Sequence, residues 1–153
     1  PQHANRTRHV QLTAENAGEG GKLLKGIPET VRILFVDDHR IVRESLANLL
    51  SAHADIDVVG QADNGQEAVE CVERLQPDVV VMDVNMPVMD GIEATHIIKQ
   101  RWPHIKVIGL SMFDESERAA RMREAGADEY VSKSGPPEQL IEALSACTHV
   151  PVQ

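Results

Sequence analysis

Asp37, Asp38, Asp83, Ser111 and Lys133 are the residues of this chain whose types, taken together, could do chemistry. Three carboxylates brought to one place repel one another, which raises their pKa values unless a cation joins them. An oxygen-lined acidic cluster suits Mg²⁺, a hard ion that keeps several waters and needs few protein ligands. A lysine adds a second positive charge on a mobile stem, and a serine adds a hydroxyl donor. Such a set fits phosphoryl transfer to a carboxylate. Asp83 would be the nucleophile, Lys133 and a metal would neutralise phosphoryl oxygens, and Ser111 would hold one of them. Singly, each residue has a plainer use. Asp83 or the Asp37-Asp38 pair could cap the next turn or helix, Ser111 could cap a helix, and Lys133 could be a surface charge. The chemical reading rests on all five falling at strand ends.

The pattern of the chain supplies those ends. Val79 to Met82 is an uninterrupted apolar run with three β-branched residues, the mark of a strand buried on both faces in a helix-covered parallel sheet, and it stops at Asp83. Pro87 and Asp90-Gly91 then supply turn chemistry. Val31 to Val36 is a second such strand ending in Asp37-Asp38, followed by Val42, Leu46, Leu49 and Leu50 at helical spacing. Ile56 to Ala62 is a further strand. Asp63-Asn64-Gly65 turns from it into a helix marked by Ala68, Val72 and Leu75, which Pro77 stops. Ala94, Ile97 and Ile98 mark a third helix, closed by Pro103. Val107 to Leu110 is a strand, with Ser111 directly after it. Ala119, Met122 and Ala125 mark a fourth helix, with Gly126 as a left-handed cap. Tyr130-Val131 is the core of a fifth strand that leads to Lys133. Leu140, Ile141 and Leu144 mark a fifth helix behind Pro136 and Pro137. Five strands alternating with five helices imply a parallel sheet with right-handed crossovers and helices on both faces. Ligands bind such sheets at the carboxyl ends of the strands. Periodicity leaves the strand order open.

With 153 residues, 42% of them hydrophobic, the chain can build one domain with a proper core. Its formal net charge is −9; the first thirty residues hold four basic and three acidic side chains, which leaves −10 on residues 31 to 153. An acidic body of this kind is a poor match for nucleic acid, and the short Arg118, Arg121, Arg123 cluster reads as a solvated helix face. Cys71 and Cys147 lie in helical patterns without a CxxC and are expected to be reduced, packed thiols of a cytoplasmic protein. There is no membrane-length apolar run and no signal-peptide pattern. The seven histidines are scattered, none at i, i+4 with a second ligand, so no zinc site is expected. Residues 1–30 are polar and carry Gly18, Gly20 and Gly21, which reads as a flexible linker or tail. Residues 31–148 read as the domain, and 149–153 as a short tail. A start at Pro1 rather than Met leads us to expect a piece of a longer protein or the remnant of a processed tag.

Residues 31 to about 147 closely resemble the receiver domain of two-component response regulators. The likeness is carried by Phe35-Val36-Asp37-Asp38-His39, Val81-Met82-Asp83-Val84-Asn85-Met86-Pro87, Met89-Asp90-Gly91, Leu110-Ser111-Met112 and Tyr130-Val131-Ser132-Lys133, in that order. The resemblance implies a flavodoxin-like (βα)5 three-layer sandwich, sheet order 2-1-3-4-5. It implies Asp83 as phosphoacceptor for a histidine kinase or phosphotransfer protein. Mg²⁺ would be held by Asp38, Asp83 and the backbone carbonyl of Asn85, with Asp37 helping through water. Lys133 would pair with the phosphoryl group, Ser111 would hold it, and Tyr130 would be a switch whose rotamer follows that hydroxyl. The face of the fourth helix, fifth strand and fifth helix would change shape or partner on phosphorylation, with dimerisation one outcome. The domain itself would touch neither nucleic acid nor membrane. It would be a phospho-accepting switch that catalyses its own phosphorylation and dephosphorylation, not an enzyme in the usual sense.

Details narrow the likeness and depart from it. His39, Leu110-Ser111-Met112 and Ala125-Gly126-Ala127-Asp128 resemble receivers that precede a helix-turn-helix output domain. Ser134 follows Lys133 where many receivers have Pro, so no cis peptide is expected there. Met112 is bulkier than the Ala or Gly common at its position and is expected to cover part of the site. Two settings fit: the receiver of a hybrid histidine kinase, favoured slightly by the tail ahead of the domain, or a fragment of a DNA-binding regulator. Outside the family, an aspartate-nucleophile phosphatase would want D-x-D after its first strand, where this chain has adjacent acids followed by His39. A flavin carrier would need a Ser/Thr/Gly-rich loop where Asp37-Asp38-His39-Arg40 would repel phosphate.

Overall fold

The computed structural model describes residues 30–112 and 116–148. The expected tails, 1–30 and 149–153, lie almost wholly outside them. Five strands and five helices alternate: β1 Val31–Val36, α1 Arg40–Ser51, β2 Ile56–Ala62, α2 Gly65–Leu75, β3 Val79–Asp83, α3 Gly91–Arg101, β4 Lys106–Ser111, α4 Ser116–Ala125, β5 Glu129–Ser132 and α5 Pro137–Thr148. The sheet is parallel throughout, in the order β2-β1-β3-β4-β5. This is the flavodoxin-like order that the resemblance implied.

Strand alternation divides the core in two. Leu34, Val36, Val80, Met82 and Val107 point to one face and pack with Ala68 and Val72 of α2, Ala94 and Ile98 of α3 and Met122 of α4. Ile33, Phe35, Val79, Val81, Ile108 and Leu110 point to the other and meet Leu50 of α1 and Leu140 and Leu144 of α5. β1 and β3, flanked on both sides, are apolar at nearly every position, as strands buried on two faces must be. Each large aliphatic side chain removed from water here contributes about 1.5–3 kcal/mol.

Local chemistry sets the helix ends. Asn64 caps α2 and Asp90 caps α3, each accepting a hydrogen bond from the backbone N–H three residues on, at 2.9 Å in both cases. Gln76 ends α2 in the left-handed region (φ 47°), and Gly126 follows α4 with φ 115°. Leu49 is 41% exposed, although its spacing placed it with the buried residues of α1. The inward stripe of α1 runs through Leu46, Ala47 and Leu50, and Leu49 stands one residue, about 100°, from Leu50.

Candidate functional site

Strand register brings the candidate residues to one edge. Val36 pairs with Met82 across β1 and β3, so Asp37 and Asp83 come next on adjacent strands; the Asp37 N–H continues the ladder onto the Ala62 carbonyl. Ser111 pairs with Ser132, and the Lys133 N–H donates to the Ser111 carbonyl at 2.6 Å. The two-residue period carries Phe35, Val81 and Val131, which share the α1/α5 face, on to Asp37, Asp83 and Lys133. That parity explains why these three side chains meet.

Lys133 Nζ lies 2.6 Å from Asp37 Oδ2 and 3.2 Å from Asp83 Oδ1, with all three side chains at most 4% exposed. Asp38 is partly exposed beside them. Ligating atoms of Asp37, Asp38, His39 and Asp83 all fall within 4.8 Å of one another. Burial, and then the charge of Asp37, push the Asp83 carboxyl up to about 7, against the opposing pull of Lys133. Asp83 Oδ2 is buried without a hydrogen-bond partner. Three carboxylates of which one keeps an unpartnered oxygen, with one buried lysine among them, form a donor set that fits a hard divalent cation.

The plainer uses of these residues account for only part of the arrangement: Asp37 caps the turn that follows it, but neither it nor Asp83 caps a helix. The N-cap of α1 is His39, which makes no side-chain cap bond, and the cap of α3 is Asp90 rather than Asp83. Asp37 Oδ1 instead accepts the His39 N–H at 2.8 Å, and Arg43 donates to the Asp37 carbonyl at 2.7 Å. Ser111 is the last residue of β4 and 1% exposed. Asn85 is exposed in the loop two residues past Asp83. Within that loop the Met89 N–H bonds the Pro87 carbonyl at 2.7 Å, a tight turn that puts Val88 at φ 69° with its side chain in solvent.

Two glycines shape the surroundings. A Cβ on Gly91 would overlap the Asp83 carbonyl oxygen, so the Asp90-Gly91 pair lets α3 start directly against the strand end. A Cβ on Gly109 would come within 2.9 Å of both Tyr130 Cδ1 and Met122 Cε. The Tyr130 ring therefore lies over β4 in space that Gly109 leaves open, and its hydroxyl is buried without a hydrogen-bond partner. Sequence reasoning passed over Gly109, although a glycine inside a strand pattern signals such a close approach. It also passed over the side chain of His39, whose adjacency to the acid pair was the available signal. Met112 is 49% exposed. After Lys133, Ser132 Oγ accepts the Ser134 N–H at 3.2 Å and holds the turn into α5; there is no cis peptide bond among the described residues. Nor is any helix among them long and apolar enough to cross a membrane.

Residues 33–145 match the family described as response regulator receiver domain. The chain is 41% identical over 115 residues to response regulator protein VraR of Staphylococcus aureus, covering 75% of this chain and 55% of that protein. It is 40% identical over 114 residues to VraR of Staphylococcus saprophyticus, with 74% and 54% covered. It thus spans about half the length of the curated relatives it matches. The signal receiver domain of the response regulator NarL from Mycobacterium tuberculosis superposes with a TM-score of 0.74 at 31% identity, covering 78% of this chain and 97% of that one. A DNA-binding response regulator of the LuxR family from Staphylococcus aureus gives 0.72 at 27% identity, covering 76% and 98%.

Proposed function

Because the chain belongs to the response regulator receiver domain family, we propose that Asp83 is its phosphoacceptor and that the domain is a phosphorelay switch. The observation that carries this is the Asp83 carboxylate itself: 3% exposed, at a strand end, one oxygen on Lys133 and the other without a partner. Receiver domains take phosphoryl groups from histidine kinases, so the donor is a phosphohistidine of a kinase or phosphotransfer protein. An Asp83 oxygen attacks phosphorus, the P–N bond breaks, and the imidazole leaves, taking up a proton. An acyl phosphate remains. Lys133 pairs with one phosphoryl oxygen and the Ser111 hydroxyl donates to another. Asp38, Asp83 and the Asn85 carbonyl would hold Mg²⁺, with Asp37 assisting. When bound, the ion keeps Asp83 ionised and neutralises phosphoryl charge.

The new group carries close to two negative charges. Drawing Ser111 and Lys133 towards it alters the space beside Tyr130, whose buried hydroxyl lacks a partner. Tyr130 is the switch that reports to the α4-β5-α5 face, where a second copy or another partner is exchanged. The likenesses are to response regulators, one of them DNA-binding, and the chain spans about half of VraR. This favours the receiver portion of a DNA-binding regulator over that of a hybrid kinase. The acidic receiver itself makes no contact with nucleic acid.

The test is incubation with Mg²⁺ and acetyl phosphate, followed by intact-mass measurement beside Asp83→Asn. One labile phosphoryl group on the wild type alone is the expected result. A phosphoryl group on both proteins would move the acceptor elsewhere. An unmodified wild type that also binds no Mg²⁺ would end the phosphorelay reading.

A further inference from the structure

The geometry points to His39 as a further ligand of the cation site, biasing it towards borderline divalent ions such as Co²⁺ and Zn²⁺ over Mg²⁺. This rests on the reading of Asp37, Asp38 and Asp83 as a cation site, and concerns which ions that site takes. His39 occupies the N-cap position of α1, but its side chain makes no cap hydrogen bond. Its backbone N–H instead bonds Asp37 Oδ1, a turn that folds the imidazole back over the acid pair. Nδ1 then stands 3.3 Å from Asp37 Oδ1 and 3.2 Å from Asp38 Oδ1. Two ligands about 2.1 Å from one ion are about 3.0 Å apart at octahedral angles and about 3.4 Å apart at tetrahedral ones. The imidazole nitrogen is therefore already at ligand spacing from two carboxylate oxygens. The Asp83 oxygen without a partner, on a side chain more than nine-tenths buried, is the independent sign that this cluster is built to receive an ion.

Carboxylate and water oxygens suit Mg²⁺, which gains little from a nitrogen ligand, whereas imidazole raises affinity for later first-row ions. The absence of an i, i+4 histidine pair argued against zinc only along the chain. His39 meets the acid pair by adjacency, and Asp83 through the fold. A purely electrostatic role makes the opposite prediction: a protonated imidazole paired with the two carboxylates competes with every cation alike.

Calorimetric titration of wild type and His39→Ala with Mg²⁺ and with Co²⁺, separately, distinguishes the two. The His39 side chain is 63% exposed, and circular dichroism checks that the variant folds. The expected result is Co²⁺ affinity about tenfold lower in His39→Ala, with Mg²⁺ affinity within about twofold of wild type. The proton spectrum of the Co²⁺-loaded wild type should show a hyperfine-shifted exchangeable imidazole N–H that the variant lacks. Unchanged Co²⁺ affinity, or equal shifts for both ions, overturns the assignment. If Asp83→Asn still loses Mg²⁺ in that case, the reading of Asp37, Asp38 and Asp83 as a cation site stands without it. A wild type that binds neither ion ends both.

Discussion

Where the strands begin, Asp78 and Asp128 each meet donors from their own neighbourhood; where the strands end, Asp37, Asp38 and Asp83 crowd around one buried lysine. Asp78 accepts the Arg32 N–H at 2.8 Å, and the guanidinium of the same Arg32 closes the end of α2 on the Leu75 and Gln76 carbonyls. Asp128 accepts the Val107 N–H at 2.9 Å and Lys99 Nζ at 3.1 Å. The amino-terminal edge of a parallel sheet offers N–H groups, which carboxylates satisfy. The carboxyl-terminal edge offers carbonyl oxygens, which carboxylates do not. One edge therefore consumes its acids as structure, while the other holds them short of positive charge. The two edges of one sheet thus use their acids differently, one to satisfy backbone donors and the other in a buried cluster around a lysine.

That contrast can be broken most forcefully at Lys133. Lys133→Ala should destabilise the protein by about 3–5 kcal/mol at pH 8, measured by urea unfolding, because it leaves Asp37 and Asp83 buried and unpaired. Added Mg²⁺ should recover part of the loss. A neutral result would mean the carboxylates are better solvated than their burial implies.

Asp83→Asn should act with the opposite sign. The native carboxyl holds its proton up to about pH 7, whereas the unfolded chain releases it near its ordinary value of 3.8. The contribution of this carboxyl to stability therefore falls as pH rises through that window and is constant on either side. The variant escapes the fall, so it should be more stable at pH 8 by about 2–4 kcal/mol and converge with the wild type below pH 4. Parallel stability curves across this range would remove the strained carboxylate from the account.

At the other edge, Asp128→Ala should cost about 1–2 kcal/mol with little dependence on Mg²⁺, since it strands the Val107 N–H and leaves Lys99 only its carbonyl partners, Pro103 and Ile105. If Mg²⁺ stabilised this variant more than the wild type, the division between the two edges would not hold. Met112→Ala is the smallest change. Met112 is half exposed directly after Ser111; if it covers part of the site, its removal should alter dephosphorylation by less than about threefold. No change in that rate would leave Met112 without a role in turnover.

Much of this fold was legible before any coordinates. The bounds of β1 and β2 are those read from the apolar runs, and the strand-end positions of Asp37, Asp83 and Lys133 followed from where those runs stop. Leu49 was not legible, because helical spacing alone does not say how wide the buried stripe is. Gly109 was not legible either, because its use depends on Tyr130, twenty-one residues away, lying across it.

By itself the sequence determined which segments are strands and helices, since periodicity, turn residues and caps act over a few neighbours. The strand order came from resemblance to a family and not from any spacing, because pairing is settled between segments far apart in the chain. Only the tertiary structure decided that Lys133 sits closer to Asp37 than to Asp83, that one Asp83 oxygen has no partner, and that His39 folds over the acids. These are balances of charge and burial among side chains on different strands, and they exist only once the strands are side by side.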